Sequence, residues 1–196
     1  MGSGKSTLCA LWSSWGLPLY NADDAAKSLM ETPGPLATAI ETCFGPGMYT
    51  KEGRLNRELL AQRVFSTQES TQQMNHLVHP AVHADFTDWK TAQEKRGYSI
   101  VGRETALLFE SNTADACSIV VLVSAPEAAR TERIQKRNGW TLEQIKSRTS
   151  KQWSEQQKRE ALRDGDIEYE NQGSIDEMTH WARPFFEAEI LPHLPQ

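Results

Sequence analysis

Apolar and polar positions follow two different periods along this chain, and the periods divide it into segments. "CSIVVLVSA" (117–125) is continuous, β-branched and uncharged, as a strand buried on both faces should be. "LPLYNAD" (17–23) is a shorter apolar run ending in polar residues and predicts another strand. "YSIV" (98–101), with its exit through "TALLFE" (105–110), predicts a third, and "DIEYEN" (166–171) a last one. Helical patterns fill the intervals. They cover 7–15, 24–30 (interrupted by "TPGP" at 32–35), 36–44 (stopped by Gly45-Pro46-Gly47) and 57–65, with Leu59, Leu60 and Val64 on one side. A turn is expected at 50–56. Further helices are expected over 66–92 with a break at Pro80, over 126–138 with proline in the first turn, over 141–162 with Thr141 as N-cap, and over 174–191. Strands alternating with helices predict an α/β fold, a parallel sheet flanked by helices.

Composition narrows the class. At 196 residues, 38% hydrophobic and 24% charged, the chain is expected to form one soluble domain with a real core and room for a small appended subdomain. No run approaches the ~18 apolar residues of a membrane span, and no signal-peptide pattern precedes the first motif. No membrane partner is expected. Cys9, Cys43 and Cys117 are odd in number, far apart and form no CxxC, which fits reduced thiols in a cytoplasmic protein. A net charge of −5 argues against nucleic acid as a partner. The charge is uneven, however: residues 130–163 hold ten basic and four acidic side chains. Such a stretch on an acidic protein suits a polyanionic small molecule, and a solvated helical face is the competing reading.

The opening "MGSGKSTLCA" carries the clearest chemistry. Gly2-Ser3-Gly4-Lys5-Ser6-Thr7 matches the back half of the phosphate-binding pattern G-x-x-x-x-G-K-[ST]. Its glycines let successive backbone N–H groups close around phosphate oxygens. Lys5 would reach the β- and γ-phosphates, Ser6 would coordinate Mg²⁺, and the following helix would aim its positive end at the same charge. The first glycine of the full pattern would fall before Met1, and the strand expected ahead of it is apparently missing from this sequence. A misassigned start, or another segment filling the strand's place, is the expectation; a flexible tail is the competing reading.

Six further segments, in order, carry a resemblance. "NADDAAKSL" (21–29) is similar to D-A-D-x-x-A-R, "GRLNRELLAQRVF" (53–65) to G-x-[LI]-[ND]-R-x-x-L-x-x-x-V-F, and "MNHLVHPAV" (74–82) to L-N-x-x-x-H-P-x-[VI]. "ALLFE" (106–110) resembles P-L-L-F-E, "RIQKRNGWTLEQIKSRTSKQ" (133–152) R-x-x-x-R-D followed by R-x-x-x-Q, and "GDIEYENQGS" (165–174) A-D-x-V-I-x-N-x-G-S. These are motifs of the dephospho-coenzyme A kinases, which the chain resembles over nearly its full length. The resemblance implies a P-loop NTPase-type fold with a helical substrate-binding subdomain and a lid. It implies ATP-dependent phosphorylation of the ribose 3′-hydroxyl of dephospho-coenzyme A, with Mg²⁺ as metal and coenzyme A and ADP as products. It places the core at about 1–35, 96–136 and 153–196, the substrate subdomain at about 36–95 and the lid at about 137–152.

Individual residues divide between this reading and plainer ones. Asp23 follows a strand, where a carboxylate accepts the ribose hydroxyl proton and orients its oxygen; capping of the next helix by Asp23 or Asp24 is the alternative. Asn21 and Asn138 each stand where the family has aspartate, and Asn21 adds no negative charge near a metal. Ala106 stands where the family has proline. Arg137 matches the lid arginine and suits the spread charge of a transferring phosphoryl group, with Arg133 one turn earlier assisting. Arg148 is a candidate for closure over phosphates, whereas Lys151 reads as solvated. Arg57 and His79 match substrate-subdomain positions, Phe109 and Glu110 would shape the pocket wall, and Asn171 and Gly173 would lie near adenine or form a simple turn. His76, His79 and His83 have a superficially metal-like spacing, but Pro80 interrupts them and no zinc site is expected. Trp140 lies in the expected lid. A P-loop kinase of another small molecule, and a non-catalytic nucleotide or coenzyme A binder, remain the alternatives.

Overall fold

The strand expected at 117–125 forms over its last half. In the computed structural model, which describes residues 1–150 and 152–195, β3 (Val121–Ser124) pairs in parallel with β4 (Ile167–Glu170). The register runs from Val121 opposite Ile167 to Ser124 opposite Glu170. A parallel pair needs a long crossover, and three helices supply it: α6 (Glu127–Asn138), α7 (Leu142–Thr149) and α8 (Glu155–Glu160). The entrance to the pair is fixed by Asp166, whose carboxylate accepts from the Val120 N–H at 2.8 Å and from the Arg163 backbone and guanidinium at 2.9–3.1 Å. Burial works against the charged form of Asp166, but the donors from Arg163 and Val120 outweigh it and hold its pKa below the usual carboxylate value.

These elements belong to the first of two compact units, Met1–Leu19 with Gly97–Gln196. Its core gathers Leu8 and Trp12 of α1 (Lys5–Ser14), Val123, Tyr169, and Met178 and Ala182 of α9 (Ile175–Phe185). α9 opens with a capping box between Ser174 and Glu177, the reciprocal pairing that satisfies two orphan backbone donors. The second unit, Tyr20–Arg96, is helical. It contains α2 (Ala22–Glu31), α3 (Pro35–Phe44), α4 (Arg57–Val64) and α5 (Gln68–Lys95). Ile40, Phe44, Met48, Leu60, Val64 and Met74 form one buried cluster. Tyr20 packs with Val82, Phe86 and Trp89 in another, and its hydroxyl donates to Asp85 at 2.7 Å. The turn expected at 50–56 is closed by an antiparallel bridge between Tyr49 and Leu55. β1 (Leu19–Asn21) spans the boundary between the units.

Four expectations are corrected. α5 runs unbroken through Pro80; its buried residues lie on both sides of the proline, at Met74 and Val82, so packing carries the helix past one missing hydrogen bond. The strand expected at 98–101 forms instead as β2 (Gly102–Glu104). The Gly102 N–H donates to the Pro18 carbonyl at 2.8 Å, and a side chain at Gly102 would overlap Leu19, so the close approach falls where there is no Cβ. The single helix expected over 141–162 is two, because Ser154 and Gln157 form a capping box that starts α8 afresh. The closing helix becomes a π turn at 186–190 and a 3₁₀ turn at 191–193, following Pro184 inside α9. No helix among the described residues is long and apolar enough to cross a membrane.

Candidate active site

The opening motif folds into a loop that runs straight into a helix. Gly4 is the N-cap of α1, with φ 105° and no side-chain cap, and its carbonyl accepts from the Thr7 and Leu8 amides at 3.0 and 3.1 Å. The next helix positions are Lys5 and Ser6, whose amides have no preceding turn to bond. No acidic residue lies in the first turn of α1, so its positive end is left for an external anion. The loop is tightly seated: a Cβ on Gly2 (φ 75°) would meet the Arg130 carbonyl at 2.8 Å, and one on Gly4 would overlap the Asn171 carboxamide. Only glycine meets both demands, a positive φ and no side chain.

Ser6 finds an acidic partner that sequence reading missed. Its Oγ donates to Glu104 Oε1 at 2.7 Å. Glu104 ends β2, and a carboxylate at a strand end facing the loop serine supplies hard oxygen chemistry for a divalent cation. The available signal was its position, two residues before the "ALLFE" segment. Cys9, one turn along α1, also faces Glu104. Burial first, and the neighbouring Glu104 second, push its thiol up to about 12, so it stays protonated and is a poor nucleophile.

A cavity of about 870 Å³ opens beside the loop, lined by Ser3 and Lys5 and by Phe109, Arg130, Trp153 and Lys158 among others. Phe109 and Trp153 stack with ring centroids 6.0 Å apart and planes 10° from parallel. Glu110 fixes that wall: its Oε1 accepts the Trp153 backbone N–H at 2.7 Å and lies 3.6 Å from Lys158 Nζ. Both side chains of that ion pair are largely buried, at 13% and 15% exposure, whereas Glu110 Oε2 is buried without a hydrogen-bond partner among the described residues. Arg130 pairs with Glu155 at 3.1 Å. Two cations, the Glu155 carboxylate and an aromatic stack thus line the cavity, and Glu110 braces Trp153 and Lys158 among them. Trp153, Arg130 and Lys158 carried no role in the sequence reading, because their partners are distant in the chain.

The remaining expected residues distribute between the units. Thr7 lies in the first turn of α1. Arg137 is exposed at the end of α6, its Nε donating to Asn138 Oδ1 at 3.0 Å. Arg148 lies over the Trp140 ring at 4.2 Å. Lys151 lies outside the described residues. Arg133 donates to the Gly2 carbonyl at 3.4 Å. Asn171 and Gly173 follow β4, and the Asn171 side chain turns to the loop, donating to the Ser3 carbonyl at 2.7 Å. In the second unit, Asp23 is exposed in the first turn of α2. It is not the cap: Asn21 is, accepting the Asp24 N–H at 3.0 Å, and Asp24 pairs with Lys27. Arg57 pairs with Glu31, and His79 is half-buried on α5.

A sequence model described as dephospho-CoA kinase matches residues 1–177. A dephospho-CoA kinase of Salinibacter ruber is 33% identical over 91% of this chain and 88% of its own. One of Corynebacterium diphtheriae is 30% identical over 95% and 92%. A Thermus thermophilus crystal structure superposes with a TM-score of 0.80, at 29% identity over 96% of this chain and 93% of that one. The family match over residues 1–177 and identities of 30% or more over nine-tenths of the chain lead to one conclusion: the chain belongs to the dephospho-CoA kinase family.

Proposed function

We propose that this chain transfers the γ-phosphoryl group of ATP to the ribose 3′-hydroxyl of dephospho-coenzyme A, releasing coenzyme A and ADP. The observation that carries the reading is the 2.7 Å Ser6–Glu104 contact at the foot of a loop whose next residue, Lys5, lines the cavity. Amides of Gly2, Ser3 and Gly4 with Lys5, Ser6 and Thr7 would hold the donor's phosphates, Lys5 offsetting charge on the β- and γ-oxygens. Ser6 Oγ and the Glu104 carboxylate are hard oxygen donors and fit Mg²⁺, which keeps most of its other positions for water and phosphate oxygens. When bound, the cation would neutralise charge on the phosphates.

The acceptor needs a proton removed and its oxygen aligned with the γ-phosphorus. Asp23 takes that role in our reading: it is exposed, it is not spent on capping, and a carboxylate can accept the hydroxyl proton as attack proceeds. Arg137 would contribute its planar guanidinium to the transferring group, Arg57 and His79 would bind substrate, and Phe109 and Glu110 would shape the wall of its pocket. Asn171 and Gly173 would border the adenine of ATP. Three free thiols, Cys9, Cys43 and Cys117, support a cytoplasmic setting. The test is turnover: purified protein with ATP, Mg²⁺ and dephospho-coenzyme A should release stoichiometric ADP and coenzyme A. Phosphorylation of free nucleosides with none of dephospho-coenzyme A would redirect the reading to another kinase, and ATP binding without ADP release to a non-catalytic binder.

A further inference from the structure

The carbonyls of the phosphate loop are held from behind. Asn171 Nδ2 donates to the Ser3 carbonyl at 2.7 Å, and Arg133 reaches the Gly2 carbonyl at 3.4 Å. A trans peptide is planar, and its N–H points away from its C=O. Fixing the Ser3 carbonyl therefore aims the Gly4 N–H in the opposite direction. We infer that Asn171 is a positioning residue for nucleotide binding, whose carboxamide sets the direction of the Gly4 amide in the phosphate loop. This rests on the proposed ATP reading and gives Asn171 a role distinct from contact with the base.

Four further observations support it. Asn171 is only 5% exposed, so solvent does not compete for the bond. Its own N–H donates to the Ser124 carbonyl at 2.8 Å, just past the last register pair of the parallel strands, which anchors it to that strand pair. The side chain occupies the space that a Cβ on Gly4 would need, so glycine and carboxamide are matched in shape. Meanwhile Asn171 Oδ1 is buried with no hydrogen-bond partner among the described residues. An orphaned buried acceptor is costly, and an apolar side chain of similar size would avoid that cost. What only the carboxamide supplies is the donor to Ser3.

The test separates the donor from the packing. Asn171→Asp keeps the shape, but an ionised carboxylate cannot donate to the Ser3 carbonyl, whereas the protonated acid can. ATP affinity is measured by calorimetry with Mg²⁺, as the ratio of variant to wild-type Kd across pH, so that ATP's own titration cancels. At pH 8.5 the ratio should be about tenfold or more, the order lost with one charge-free positioning bond, and it should fall as pH is lowered. Asn171→Leu should show a raised ratio at every pH. In turnover, KM for ATP should rise in both while KM for dephospho-coenzyme A stays within about twofold, the pattern of a lost binding interaction confined to one substrate. Melting temperatures of both variants and of Asn171→Ala are recorded alongside. A Kd ratio that is flat with pH for Asn171→Asp, or ATP affinity that follows melting temperature across the three variants rather than the presence of a donor, overturns the inference. Wild-type protein that binds ATP but does not phosphorylate dephospho-coenzyme A overturns the functional reading instead and leaves this comparison standing.

Discussion

At the scale of single residues, the site divides between groups with a local signal and groups without one. Lys5 and Ser6 were legible because a phosphate loop is contiguous: six neighbouring residues carry its geometry. Glu104 was not, because one acid at the end of a three-residue strand looks like any other until the serine facing it is known. Asp23 was legible only as a choice between cap and base, and Asn21 takes the cap. That choice sharpens two expectations. Lys5→Ala and Asp23→Asn should each lower kcat by more than ~10²-fold, as for groups acting on the transferring phosphoryl and its acceptor. Asp23→Asn should leave the melting temperature nearly unchanged, since the side chain is exposed and caps nothing; near-normal turnover in either variant would remove its assigned role. Glu104→Gln keeps the hydrogen bond to Ser6 but loses the charge. It should raise the Mg²⁺ concentration needed for half-maximal nucleotide binding by roughly tenfold, about the loss of one charged partner near a cation, as read by calorimetry at varied Mg²⁺.

At the scale of elements, type was legible and boundaries were less so. The strand at 121–124 followed from an uncharged β-branched run that no helix face explains. The division between α7 and α8 was written in the chain as Ser154-x-x-Gln157, a capping box, but no glycine or proline marks it and the surrounding pattern stays helical. Pro80 misled in the other direction, since a proline removes one bond but tertiary packing decides whether the helix ends. Asp166 shows how much one side chain holds at an element's edge: it bonds the start of β3 and the turn before β4 together, and Arg163 continues the network to the Cys117 carbonyl at 3.0 Å. Asp166→Asn should cost about 1.5–3 kcal/mol at pH 7, the range for hydrogen bonds to a charged group, measured by urea unfolding. Because the folded-state pKa is held below the ordinary carboxylate value, this contribution is present above the unfolded pKa of ~3.9 and is lost as pH falls through the folded value. The gap between wild type and variant should therefore close in acid. A gap independent of pH would mean that the carboxylate's charge adds nothing.

At the scale of the whole molecule, the sequence reading found the excess of basic residues over 130–163, and its pairing needed coordinates. Arg130, Lys136, Lys158, Arg159 and Arg163 each enter an ion pair, so only part of the excess is offered to a ligand. On a chain of net charge −5, ATP capture should still depend on salt. KM for ATP should rise several-fold between ~50 and ~500 mM NaCl as the Debye length shrinks from above 10 Å toward a few ångströms, measured under conditions where melting temperature is steady. An unchanged KM would assign the basic stretch to its own internal pairs. The first unit is also discontinuous, whereas Tyr20–Arg96 is contiguous, and the Ser3–Asn171 bond spans 168 positions. On a ribosome moving at ~5–20 residues per second, the loop is made roughly ten to thirty seconds before the carboxamide that aims it. The helical insert can fold during that interval. The growing chain should therefore have no ordered seat for ATP until β4 and Asn171 have emerged, so competence to bind nucleotide arrives late in synthesis.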